Sequence, residues 1–272
     1  MNPQSRPGRM PATAEPCRVT ACPHELDDAA ALFAASHPLP LVAVASARTA
    51  AADRCVLGQG RSAAESTEAV VIESRLGPVG RSAQVQYGEV LATHLDLAGV
   101  AAALALMPNF IRTFTVLGST AKLTEPTPSL IQHIQSWLPH SAFIADLEAG
   151  VVVSAKHGLT EQLPTGCIAF TAHADESHLL RPHAAELVNR LQPRSCTPVL
   201  VDPSEVKTFW GDSSALEICT VAVTPDELAE HTLAKAHPCE WCGDRIAERM
   251  CPRCCAVQTS SSPLRLSESE FL

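Results

Sequence analysis

Residues 142–155, AFIADLEAGVVVSA, carry the reading that decides the fold class. Two short apolar runs, Ala142 to Leu147 and Val151 to Ala155, flank Glu148-Ala149-Gly150. A glycine in so short a connection tolerates the positive φ that a tight turn needs, so the segment predicts a β-hairpin.

On the N-terminal side, Thr127 followed by Pro128 reads as the start of a helix stopped by Pro139. Leu130, Ile131, Ile134, Trp137 and Leu138 fall on one face of it. Arg112 to Leu117 (RTFTVL) alternates polar and apolar residues as a strand does, and Glu89 to Met107 reads as one long Ala-rich helix. Ser62 to Ser74 fits a helix or a strand, Leu39 to Ser46 (LPLVAVAS) a buried strand, and Glu25 to Ser36 a short helix. On the C-terminal side, Cys167 to Thr171, Pro198 to Val201 and Leu216 to Val223 read as strands. A helix beginning near Pro182 presents Ala184, Leu187, Val188 and Leu191 at i, i+3, i+4 and i+7. Thr224-Pro225-Asp226-Glu227 is a capping-box arrangement opening another helix.

Strands and helices are thus interspersed around at least one hairpin. The expected fold is α/β or α+β, a mixed sheet packed by helices, with a small C-terminal four-cysteine zinc module. The expected organisation is a disordered tail at 1–24, a mixed α/β domain at 25–225, a helix plus zinc-binding module at 226–257 and a second tail at 258–272.

A chain of 272 residues, 46% hydrophobic, has enough apolar material for a substantial core, yet only 4% of it is aromatic. A net charge of −9 opposes sequence-independent attraction to phosphate, so nucleic acid is the less favoured partner and another protein the more favoured one. The longest apolar stretch, Leu97 to Met107, is about half the length a bilayer demands. Met1 to Pro16 lack an apolar signal region, so a cytoplasmic protein without a membrane partner is expected, with its eleven cysteines held as thiols or metal ligands.

The densest chemistry lies in Pro238-Cys239-Glu240-Trp241-Cys242-Gly243 and Met250-Cys251-Pro252-Arg253-Cys254-Cys255. Cys239, Cys242, Cys251 and Cys254 form two C-x2-C pairs, each able to grip one metal from a tight turn, with Gly243 placed for left-handed backbone. Four thiolates close a tetrahedral site, so the cofactor expected is structural Zn2+, with Cys255, His231 or His237 as possible substitutes or neighbours. Residues 237–256 resemble a short zinc ribbon over about 20 residues.

Weaker groupings remain. His173-Ala174-Asp175-Glu176-Ser177-His178, with His183 beyond, could supply acid–base groups or metal ligands after a strand, although a polar loop capping a helix accounts for them more simply. Gly58-Gln59-Gly60 could be a phosphate-binding turn but lacks a third glycine and a lysine. The run 58–74, GQGRSAAESTEAVVIES, is similar to the glycine turn and Glu-bearing helix of YcaO-type ATP-dependent peptide cyclases, through Gly58, Gly60 and Glu73. That resemblance implies a magnesium-holding role for Glu73, but the family's later carboxylate helices and Pro-rich end are absent, so its activity is not carried over. Cys17 and Cys22 with His24 have poor metal spacing, while Cys167, Cys196 and Cys219 read as buried, inert thiols.

The function expected from these features is that of a zinc-binding intracellular protein, a binding or adaptor protein built on the cysteine module. The alternatives are an enzyme acting on a small molecule or peptide near His173 to His183 or Gly58 to Gly60, and a nucleic-acid-binding regulator.

Overall fold

Leu41–Ser46 (LVAVAS) is buried at every residue. In the computed structural model of the chain it is the middle strand of a parallel sheet in which β1 (Arg18–Ala21), β2 (Leu41–Ser46) and β3 (Ala69–Ser74) are paired in that order. A strand enclosed on both faces reads as a continuous apolar run rather than an alternation. The structure describes residues 17–21, 28–29, 31–32, 40–48, 55–56, 59, 69–138, 141–156, 167–172, 180–247, 251 and 257. β1 lies inside the stretch expected to be a tail, and the described part of 62–74 is a strand. Of the helix expected over 25–36, Asp28, Ala29, Ala31 and Leu32 are helical.

Two helices follow β3. α1 (Pro78–Leu91) begins with proline at its first position, where a missing N–H costs nothing. α2 (Leu97–Leu106) begins after Asp96, whose carboxylate accepts from the Gly99 amide at 2.8 Å. The single helix expected over 89–107 is therefore two helices, because Asp96 satisfies a fresh N-terminus and the chain turns at 92–96. A 3-10 turn, Met107–Phe110, leads into the second sheet.

That sheet contains β4 (Ile111–Leu117), β5 (Phe143–Asp146), β6 (Val151–Ser154), β7 (Ile168–Ala172), β8 (Ser195–Val199) and β9 (Leu216–Val221). Their spatial order is β6-β5-β4-β9-β7-β8, antiparallel except between β7 and β8. The hairpin expected at 142–155 is β5–β6, with Gly150 at φ +68°. Four further helices accompany it: α3 (Leu130–Gln135), α4 (Arg181–Leu191), α5 (Pro203–Trp210) and α6 (Pro225–Lys235). The fold is a mixed α/β arrangement with a mixed sheet packed by helices.

Period-two alternation in β9 separates two environments. Leu216 and Ile218 pack with Leu187 and Leu191 of α4, whereas Cys219 and Val221 join the core under α1. α1 lies between the two sheets, packing on β1 and β2 on one side and on β7 and β9 on the other. Gly88 permits this approach, since an added Cβ would stand 2.6 Å from Val19 and 3.1 Å from Leu104. One core consequently spans both sheets, joining Val42, Val44 and Val70 to Phe170, Cys219 and Val221. Burial of such a continuous apolar cluster is the main force holding the sheets together.

Two expectations about helices change. α3 is capped by Ser129, not Thr127, in a capping box with Gln132. Its apolar face does not enter the core: Leu130 is 76% exposed and Trp137 81%. Gln132 donates its side-chain amide to the Val152 carbonyl, so the short helix is tethered to β6 through polar groups. α6 has both expected capping bonds, Thr224 to Glu227 and back, and it packs on α1 and α2. The described C-terminal residues form a small antiparallel hairpin, β10 (His237–Pro238) and β11 (Arg245–Ile246), with β11 against α2. Among the described residues no helix is long and apolar enough to cross a membrane.

Candidate ligand-binding site

Parallel β2 and β3 both end in buried serines, Ser46 and Ser74. The carboxyl ends of parallel strands are where open sheets form binding crevices, because the following loops diverge there. The Ala47 amide donates to the Ser74 carbonyl at 2.7 Å, and the Arg48 amide to Ser46 Oγ at 3.3 Å. This turn carries the Arg48 guanidinium over the ring of Phe209 on α5, 3.8 Å from its centroid, and lets it donate to the Phe209 carbonyl. Opposite, Arg81 in the first turn of α1 donates to Glu205 of α5 at 2.6 Å.

Ser46, Arg48, Arg81, Glu205, Thr208 and Phe209 line a pocket of about 190 Å³. Arg81 pairs with Glu205 at 2.6 Å and Arg48 with Glu125 at 3.6 Å, so each guanidinium at the pocket is matched by one carboxylate. Burial lowers the Arg48 pKa from its usual value, Glu125 at the rim opposes the effect, and Arg81 adds to it. The Arg48 guanidinium remains charged all the same, because arginine holds its proton at any pH a protein meets.

Beside this pocket a carboxylate is sealed inside the protein. Glu217 of β9 accepts from the Gly80 amide at 3.1 Å and from Trp210 Nε1 at 2.8 Å. The first-turn amides of α1 form a partly positive helix end, and a carboxylate is a natural occupant of it. Gly77 is required for the approach: a Cβ there would stand 2.5 Å from Glu217 Oε1. Burial pushes the Glu217 pKa up to about 7, while the Trp210 and Gly80 bonds and the Arg81 charge hold it down. The anion-binding end of α1 is thus filled by the chain itself, and the guanidiniums of Arg48 and Arg81 are the groups facing the open pocket.

A second concavity, about 490 Å³, lies between α4 and the β7–β9 face. Its walls include Ala184, Val188, Leu216 and Ile218, with Thr171, Arg181, Asn189 and Glu217 among the polar groups.

The residues singled out in the sequence do not meet at either place. His173 to His178 lie outside the described residues, and His183 is half-buried on α4. Gly58 and Gly60 also lie outside, while Gln59 is helical and reaches Cys55 Sγ at 3.6 Å. Glu73 is an exposed residue of strand β3, not of a helix, which removes the geometry of the magnesium-holding role that the YcaO resemblance implies. Cys239, Cys242 and Cys251 converge, their sulfurs all within 4.8 Å of one another, and Cys254 and Cys255 are outside the described residues. His231 stacks beside Phe110 at 5.2 Å, and neither His231 nor His237 belongs to the sulfur group. Cys17 is buried, with its thiol pushed up to about 11 by desolvation, and Cys22 and His24 are undescribed. Cys167 and Cys219 are buried as expected, but Cys196 is exposed at the sheet edge.

Arg48, Arg81 and Glu217 were not legible as a site. One signal does point to Glu217: it is the only carboxylate in LEICTV, a strand whose six residues are all buried. A carboxylate in a strand covered on both faces must find donors or shed its charge.

No family model and no curated protein sequence matches the chain. Its fold does match solved structures. A DegV family protein from Corynebacterium glutamicum superposes with a TM-score of 0.52 at 12% identity, covering 77% of this chain and 98% of that one. A DegV family protein from Eubacterium eligens loaded with heptadecanoic acid gives 0.53 at 13% identity, covering 75% and 79%. The Fatty Acid Kinase (Fak) B3 protein of Streptococcus pneumoniae, loaded with linoleic acid, gives 0.51 at 13%, covering 75% and 78%. These likenesses overturn the reading of the chain as a zinc-binding adaptor whose work is protein binding. Of the cysteines that carried that reading, Cys239 and Cys242 lie in the segment between β10 and β11. By fold, this chain is similar to the DegV family structures.

Proposed function

We propose that the chain is a cytoplasmic carrier of a long-chain carboxylic acid, with the carboxylate held between Arg48 and Arg81 beside Ser46. The observation that carries the reading is the pocket at the ends of β2 and β3, where the guanidiniums of Arg48 and Arg81, paired with Glu125 and Glu205, stand beside the Ser46 hydroxyl. A carboxylate matches the forked donors of arginine, and such charge-assisted hydrogen bonds are roughly twice as strong as neutral ones. Glu217 supports the assignment by keeping the helix end occupied, so an incoming anion is directed to the arginines. The fold supports it too, since proteins of similar architecture are known with heptadecanoic and linoleic acids bound.

Titration calorimetry of delipidated protein with oleate tests the reading. Saturable binding is expected, weakened about tenfold or more in Arg48→Ala, as the loss of a charge-assisted hydrogen bond implies. Arg48→Lys keeps the charge but loses the fork, and falls between them. Equal affinity in wild type and Arg48→Ala would refute the placement of the head group.

A further inference from the structure

Among the described residues, the small C-terminal hairpin and the chain after it bury Cys239, Ile246, Ala247 and Cys251. Small segments of this kind usually rely on a cross-link or a metal. The backbone is folded for one. Gly243 closes the turn at φ +79°, its amide donating to the Cys239 carbonyl at 3.0 Å, and the Cys239 amide donates to the Asp244 carbonyl at 2.7 Å. The Trp241 amide points at Cys239 Sγ from 3.5 Å, the arrangement that stabilises a thiolate.

Cys242 lies in the turn between β10 and β11 and Cys251 lies beyond β11 in the chain, yet their sulfurs are 3.6 Å apart. A disulfide would bring them to about 2.05 Å. Metal–sulfur bonds of about 2.3 Å in a tetrahedral site set thiolates about 3.8 Å from one another, close to the observed spacing. With Cys239 added, all three sulfurs lie within 4.8 Å.

We propose that Cys239, Cys242 and Cys251 hold one divalent metal ion of the zinc class. The site is structural and independent of the ligand pocket. Its effect is to hold β10 and β11 in the conformation in which β11 covers α2, so metal binding contributes to the stability of the main body by mass action.

The test uses the full chain purified under reducing conditions, with metal content by elemental mass spectrometry and hydrogen exchange with and without chelator. About one equivalent of metal per chain is expected. Cobalt reconstitution should give thiolate-to-metal charge transfer in the near ultraviolet. Cys242 is exposed, so Cys242→Ser should fold, with unchanged exchange in β4 and β9 but without the cobalt band. Chelation should speed exchange across 237–247 and on α2. Absence of metal with no cobalt band in the wild type would overturn the site. A cobalt band of full strength in both Cys242→Ser and Cys251→Ser would overturn it equally.

Discussion

Glu217 on β9 accepts a hydrogen bond from the amide of Gly80 in the first turn of α1, 3.1 Å away, across the junction between the antiparallel-rich sheet and the helix that follows the parallel one. This bond connects β9 to α1 through a buried carboxyl group, and from α1 Arg81 reaches the pocket. Several expectations rest on it.

The pKa of Glu217 is raised from 4.5 to about 7 by burial. Between those values the folded state holds the proton that the unfolded state has released, so stability falls as pH rises from about 4.5 to 7 and is level on either side. The expected fall is about 3 kcal/mol for a displacement of this size. Glu148 is raised to about 7 mainly by burial and acts in the same direction. Urea unfolding at a series of pH values should therefore show decreasing stability over this window in the wild type. Glu217→Gln should remove about half of the slope; an unchanged slope would contradict the assignment.

Gly77→Ala places a methyl group against the Glu217 carboxylate. Overpacking of this kind costs about 1–3 kcal/mol. The same substitution made in a Glu217→Ala background should cost much less, which a double-mutant cycle measured by thermal unfolding will read directly.

The exposed face of α3 gives the opposite kind of expectation. Ile134 is 58% exposed, so Ile134→Ser should change stability by less than about 0.5 kcal/mol. The equivalent change at Leu187, which is buried under β9, removes core packing and should cost about 2–5 kcal/mol. Chemical denaturation of the two variants separates the cases.

These contrasts show what could be read beforehand. The β5–β6 hairpin and the Thr224 capping box were legible because each depends on a few adjacent residues and backbone preferences that act locally. The apolar face of α3 was visible as a pattern, but periodicity reports that a helix is amphipathic and says nothing about what covers it. α1 was not anticipated over 78–88, where the glycines at 77 and 88 answer to close neighbours distant in sequence, Glu217 and Val19. The site was hidden for the same reason. Arg48 and Phe209 are 161 residues apart, and no local rule joins them.

The central claim is that the pocket of Arg48 and Arg81 holds a long-chain carboxylate. Its most direct test is solvent extraction and mass spectrometry of the protein as purified from cells, beside native mass spectrometry of the intact chain. The account predicts a fatty acid at about one per chain in the wild type and its depletion in Arg48→Ala. Wild-type protein free of bound lipid, and unable to take up oleate when it is supplied, would contradict the account.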